Sequence, residues 1–211
     1  MYALVSPKKI ELSAGAVVKL PATWPEYIAL REQRGDGSVP RIKYRDGEVF
    51  LVSPLPVHGR DVSLVADIVK ALLDHREKDY DSFTPMTMEL PEQSGIEPDY
   101  CFYIDNWQAV SGKKRIDWRV DPPPDLVVEI DVTSYSDVVD YLPFWVPEIW
   151  LVRKQQLSLY RFENGDYKES KQSLYFPDTE VCYVVDRCFE IAYERNTSAA
   201  IRDLRKRLKG N

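Results

Sequence analysis

The sequence predicts a mixed α/β fold, a central mixed sheet flanked by helices and followed by a late antiparallel meander. Three observations carry that expectation. Leu126, Val127, Val128 and Ile130 form a short apolar run bounded by the prolines of Asp121-Pro-Pro-Pro-Asp125, the pattern of a strand buried on both faces. From about Gly59 to Glu77, Val62, Val65, Ile68, Val69, Leu72 and Leu73 recur at helical spacing, so one face packs on the sheet. Beyond Pro147, short apolar runs alternate with turn signals, as an antiparallel meander requires.

In chain order, residues 1–20 are irregular or hold a short strand. Thr23-Trp-Pro-Glu26 reads as a capping box opening a helix through about Arg34, with Thr23 as the N-cap and Pro25 in the first turn. Arg41 to Tyr44 and Val49 to Val52 pair as a hairpin across Asp46-Gly47. After the amphipathic helix, Phe83 to Leu90 reads as one strand, and Pro91 to Ile96 as a loop. That loop leads to Glu97-Pro-Asp-Tyr-Cys-Phe-Tyr-Ile104, where Pro98 biases Glu97 toward an extended backbone. After Glu129, the residues Asp131, Thr133, Ser134, Ser136, Asp137 and Asp140 make a polar segment with a short helix before Pro147. Pro147 to Val152 and Leu157 to Phe162 are strands joined at Lys154-Gln155-Gln156. Asn164-Gly165 turns into Tyr167 to Lys171, and another strand is expected near Ser173 to Phe176. A helix from about Ser198 to Leu208, apolar at Ile201, Leu204 and Leu208, ends the chain.

Composition narrows the function classes. With 211 residues, 44% hydrophobic and 29% charged, the chain suits one sizeable core and hence one domain. No run reaches the length of a membrane span, and the N-terminus lacks a basic start followed by a long apolar core, so a cytoplasmic protein is expected. Cys101, Cys182 and Cys188 make no CxxC and read as free thiols, Cys101 as a small core residue. With His58 and His75 the only imidazoles, a zinc site is disfavoured. A net charge of −6 repels nucleic acid globally, so any such binding must rest on a local patch. Lys113-Lys114-Arg115, between the two acid-bearing strands described next, is the candidate patch, and the basic C-terminal stretch from Arg202 to Lys209 is a second.

Glu129 interrupts the buried strand. An ionised carboxylate there needs a metal, a cation or water at the strand's end. Asp125 shares its face but stands about 13 Å away, too far to chelate the same ion. Asp99 lies 30 positions before Glu129 at the head of another apolar run, room for a strand, a loop and a return. Two hard oxygen ligands meeting from adjacent strands suit Mg²⁺ or Mn²⁺.

The blocks GIEPDYCFYI, DPPPDLVVEID and VPEIWLV, in this order, resemble the Uma-type family of the PD-(D/E)XK, or restriction-endonuclease-like, superfamily. The resemblance runs from about Trp24 to Ile201. It implies a divalent-metal-dependent endonuclease acting on DNA, in which Asp99 of Pro98-Asp99 and Glu129 bind the metal that activates water for phosphodiester cleavage. Ser53-Pro54 and His58 match the start of the family's first long helix. The resemblance puts Glu48 and His58 at the edge of the site, although a solvated turn residue and a hydrogen-bonded helix-start residue account for them as well. The sequence departs from the family in one respect. The superfamily's lysine two residues after the acid is Asp131 here, and no Lys or Arg occurs from Glu129 through Trp150. Such a lysine orients the nucleophile and offsets phosphorane charge. Lys113, Lys114 and Arg153 are possible substitutes, with no sequence argument to place them. Two alternatives therefore stand beside the nuclease: a degenerate fold that only binds nucleic acid or protein, with a homodimer through its sheet edge as one form, and purely structural roles for Asp99 and Glu129.

Overall fold

The computed structural model describes residues 12–35, 37–84, 86–131 and 137–210. Residues 1–11, and Thr133, Ser134 and Ser136 of the polar segment, lie outside them. Two sheets form the frame. The first contains β1 (Val17–Pro21), β2 (Arg41–Arg45), β3 (Glu48–Val52), β5 (Met88–Leu90) and β6 (Ser94–Ile96), in the order β1-β3-β2-β6-β5 and antiparallel throughout. The second contains β4 (Asp81–Phe83), β7 (Tyr100–Tyr103), β8 (Leu126–Asp131), β9 (Glu148–Arg153), β10 (Gln156–Glu163) and β11 (Asp166–Ser170), in the order β11-β10-β9-β8-β7-β4. Only β8 and β9 run parallel, joined by a crossover that includes a 3₁₀ helix, Val138–Phe144.

Helix α1 (Trp24–Arg34) begins where the sequence places it. Glu26 accepts from the Thr23 N–H at 2.7 Å and from the Thr23 hydroxyl at 2.8 Å. The β2–β3 hairpin turns on Asp46 and Gly47, both at positive φ (52° and 77°), the backbone a two-residue primed turn demands. Helix α2 (Pro56–His75) starts at its proline, one turn earlier than the apolar periodicity suggests, because proline needs no N–H in the first turn.

Three apolar clusters hold these layers. Helix α2, with α4 (Val181–Glu194) and α5 (Thr197–Lys209), which follow the short α3 (Trp107–Val110) in the chain, covers one face of the second sheet through residues including Leu126, Val128, Ile130, Trp150 and Leu159. On the opposite face, Cys101, Val127 and Ile149 meet Tyr141 and Phe144 of the 3₁₀ helix, together with Met88 and Ile96 from the first sheet. Tyr27 of α1 packs on Ile42, Tyr44, Val49 and Leu51.

Several expectations need correction. The single strand expected at 83–90 is two, β4 in the second sheet and β5 in the first. Pro85, which has no N–H to give a ladder, falls between them. The expected loop 91–96 contains β6, whose Gly95 leaves room for the Tyr27 ring. Residues 173–176 form turns instead of a strand: the Ser173 hydroxyl oxygen accepts from the N–H groups of Tyr175 (3.1 Å) and Phe176 (3.2 Å). Helix α4 was not anticipated, although Val181, Val185, Cys188 and Ala192 recur along one buried face. The three cysteines are free, and Cys101 is buried in the core as expected.

Candidate active site

Alternation along β8 sorts its residues. Leu126, Val128 and Ile130 face the helix-covered core, so Val127, Glu129 and Asp131 point to the other side. β7 runs antiparallel to β8, with Tyr100 opposite Val128. Continuing that register by one residue sets Asp99 opposite Glu129, on the face that Cys101 and Val127 share. Directly opposed residues have Cβ atoms about 4.5–5.5 Å apart. Two carboxylates thus stand side by side where β7 and β8 part.

Asp99 is 1% exposed and heavily engaged. Its Oδ2 accepts from the Ile130 N–H at 2.7 Å and lies 3.1 Å from His58 Nε2, and its Oδ1 is ion-paired with Arg41. His58 sits in the first turn of α2; burial, then the charge of Arg41, pushes its pKa down to about 4, so it is neutral at pH 7. Glu129 accepts from the Tyr141 hydroxyl. Removal from water pushes its carboxyl above the usual range, against the opposing pull of Tyr141, Arg41 and Lys43.

Facing these acids is β2. Ile42 and Tyr44 pack beneath α1, so Arg41, Lys43 and Arg45 occupy the opposite face at every second residue. Arg41 reaches Asp99, while Lys43 and Arg45 (2.5 Å) both reach Asp140, a 5% exposed carboxylate on the 3₁₀ helix. Burial, then the charge of Arg45, lowers the Lys43 ammonium to about 8. Arg41, Lys43, His58, Asp99, Glu129 and Asp140 line a single cleft of about 70 Å³ between the two sheets.

The other sequence candidates lie elsewhere. Glu48 is in the hairpin beyond the cleft lining, ion-paired with Lys19 at 2.6 Å. Lys113, Lys114 and Arg115 belong to the connection from the end of β7 to the start of β8, whereas Asp99 and Glu129 sit at the opposite ends of those strands. There Lys113 pairs with Asp121 at 2.5 Å, and Lys114 and Arg115 are exposed. Arg153 binds Asp131 at 2.9 Å. Asp125 is enclosed by donors: its Oδ2 accepts from the N–H groups of Ile104 (2.6 Å), Asp105 (2.9 Å) and Asn106 (3.0 Å), and its Oδ1 from the Asn106 side chain (2.8 Å). It is a structural acid.

Sequence reasoning missed the basic row on β2 and its partner Asp140. A signal was available in Arg41-Ile-Lys-Tyr-Arg45, cations alternating with apolar residues in a strand. Among the described residues, no group of three or more His, Cys, Asp or Glu converges as a ready-made metal cage. The donors still fit a magnesium-like ion, which takes one or two carboxylates and completes its shell with water and substrate phosphate. Asp99 and Glu129 offer such a pair of hard oxygens, and both line the cleft.

No helix among the described residues is long and apolar enough to cross a membrane. No curated protein matches the sequence. Among solved structures, the fold is similar to a crystal structure described as a putative nuclease belonging to DUF820 from Anabaena variabilis, with a TM-score of 0.53 and 18% identity over 89% of this chain and 99% of that one. Residues 24–184 match the model of the Uma2 family, described as "putative restriction endonuclease". The chain therefore belongs to the Uma2 family, with a restriction-endonuclease-like fold.

Proposed function

We propose that this protein is a divalent-metal-dependent endonuclease that hydrolyses phosphodiester bonds of DNA, with Asp99 and Glu129 holding Mg²⁺ or Mn²⁺. The observation that carries the reading is the opposition of these two carboxylates across β7 and β8, beside a cleft that Arg41 and Lys43 also line. Membership of a family of nuclease character supports it. When bound, the metal supplies Lewis-acid polarisation of the phosphate and a lowered pKa for water.

The protein's own groups perform the remaining work. The Ile130 N–H and His58 fix Asp99, and the Tyr141 hydroxyl fixes Glu129. The burial that holds Glu129 above its usual pKa is an unfavourable setting for an isolated carboxylate and a favourable one for a carboxylate facing a cation. His58, neutral at pH 7, adds no charge to compete with a metal. Because the net charge is −6, the phosphate backbone must be met locally, and Arg41 and Lys43 are the cations that line the cleft beside its carboxylates.

The test is incubation of supercoiled plasmid and of single-stranded RNA with purified protein in Mg²⁺, in Mn²⁺ and in EDTA. Metal-dependent conversion of plasmid to the nicked form is expected, lost in Asp99→Asn and Glu129→Gln. Intact plasmid in every metal, with protein shown to be folded, overturns the proposal, and cleavage of RNA alone overturns the choice of DNA.

A further inference from the structure

We infer that Lys43 is the catalytic cation of this site, supplied from β2 of the first sheet to the phosphate undergoing cleavage. The inference rests on the nuclease reading above and names the group that reading lacks, since the segment from Glu129 through Trp150 contains neither Lys nor Arg.

Three features single out Lys43 from its neighbours. It lines the same cleft as Asp99 and Glu129, and its charge and that of Glu129 act on one another. Arg41, the other cation at the acids, is committed to Asp99, so drawing it toward a substrate would remove a partner from a buried carboxylate. Lys43 is ion-paired with Asp140, and Asp140 has a second cation in Arg45 at 2.5 Å. Lys43 can therefore turn toward a phosphate oxygen while Arg45 keeps Asp140 paired, avoiding the penalty that a stranded buried charge incurs. Asp140 and Arg45 are then positioning residues that hold the ammonium in the cleft between turnovers. No covalent bond to Lys43 is involved: its ammonium donates a hydrogen bond to a non-bridging phosphate oxygen and offsets the negative charge that builds as water attacks.

The site of supply is a consequence of the architecture. Lys43 and Glu129 lie on different sheets, brought together because Tyr44 and Ile42 anchor the opposite face of β2 beneath α1. The basic face of the strand is left to cover the cleft.

The test compares wild type with Lys43→Met, Lys43→Arg and the double variant Lys43→Met/Asp140→Asn. Three quantities are read: plasmid nicking in Mn²⁺, the melting-temperature shift on adding Mn²⁺, and the salt dependence of binding to a short duplex in EDTA, where a metal-dependent nuclease leaves the duplex intact. For Lys43→Met the expected result is nicking slower by roughly 10²–10³, an unchanged Mn²⁺ shift, and a salt-dependence slope lower by about one. Lys43→Arg should recover part of the rate. The double variant, which removes both members of the Lys43–Asp140 ion pair, should melt near wild type and remain slow, which separates catalysis from a structural ion pair. Wild-type nicking by Lys43→Met, or an unchanged salt slope, removes Lys43 from the mechanism and leaves the nuclease reading standing. A folded wild type that cleaves in no metal overturns both together.

Discussion

Replacing Asp125 with alanine should be one of the most damaging single changes outside the apolar core, and the cost follows from its hydrogen bonds. Asp125 is 2% exposed and accepts from three successive backbone N–H groups, those of Ile104, Asp105 and Asn106, and from the Asn106 side chain. Removing the carboxylate strands the Ile104 N–H, whose residue is 4% exposed, at a cost of about 1–3 kcal/mol for an unsatisfied buried donor. Asp105 is exposed and Asn106 lies near the surface, so their N–H groups can turn to water, and each loses about 0.5–1.5 kcal/mol. The total is about 2–6 kcal/mol, which for a domain of this size lowers the melting temperature by roughly 4–24 °C. Asp125→Asn keeps a carbonyl oxygen for the backbone donors and should cost only about 1 kcal/mol. Urea denaturation of both variants, with the slope against urea checked for constancy, measures the difference. A loss below about 1 kcal/mol for Asp125→Ala would refute the assignment of Asp125 as a structural acid.

Two further outcomes follow from the same geometry. In EDTA, Glu129→Gln should raise the melting temperature at pH 7–8: the folded-state pKa of Glu129 is raised chiefly by burial, so its favourable contribution is present at acid pH and lost as pH rises through that pKa. The gain should shrink toward pH 4, and calorimetric melting that shows no dependence of the gain on pH contradicts the argument. Gly95→Ala should destabilise by about 1–3 kcal/mol through overpacking. A Cβ there meets Tyr27 ring carbons at 2.5 and 2.9 Å, and Tyr27 is itself tied to Glu89 by a 2.7 Å hydrogen bond; chemical denaturation reads the loss directly.

The local parts of this fold were legible in the sequence because local chemistry dictates them. The Thr23 to Glu26 helix start, the Asp46-Gly47 and Asn164-Gly165 turns and the long helix α2 each depend on residues close in the chain. The opposition of Asp99 and Glu129 could be anticipated from the lengths of the intervening pieces, since β7 and β8 are consecutive and antiparallel. What escaped was set by contacts between distant segments. Arg41 meets Asp99 across 58 positions and Lys43 meets Asp140 across 97, and neither pairing leaves a local trace. Attention to the positions after Glu129 also hid a basic row that needs only strand alternation to be recognised. The expected loop at 91–96 hid β6, and the Tyr27 ring packed over Gly95 is the distant contact that accounts for a residue without a side chain there. Asp125 and Glu129 looked alike as acids on one strand. Their neighbours separate them: backbone donors enclose the first, whereas the second accepts from a tyrosine hydroxyl and lines the cleft with Arg41 and Lys43.

The most direct test of the proposal that Asp99 and Glu129 act as one metal site is titration calorimetry of Mn²⁺ into the folded protein, beside Asp99→Asn and Glu129→Gln, with circular dichroism to verify their folds. A single Mn²⁺ bound by wild type, with binding weakened or abolished in each variant, is the result predicted. Equal heats in all three proteins, or no heat in wild type, would contradict the metal site and return both carboxylates to structural roles.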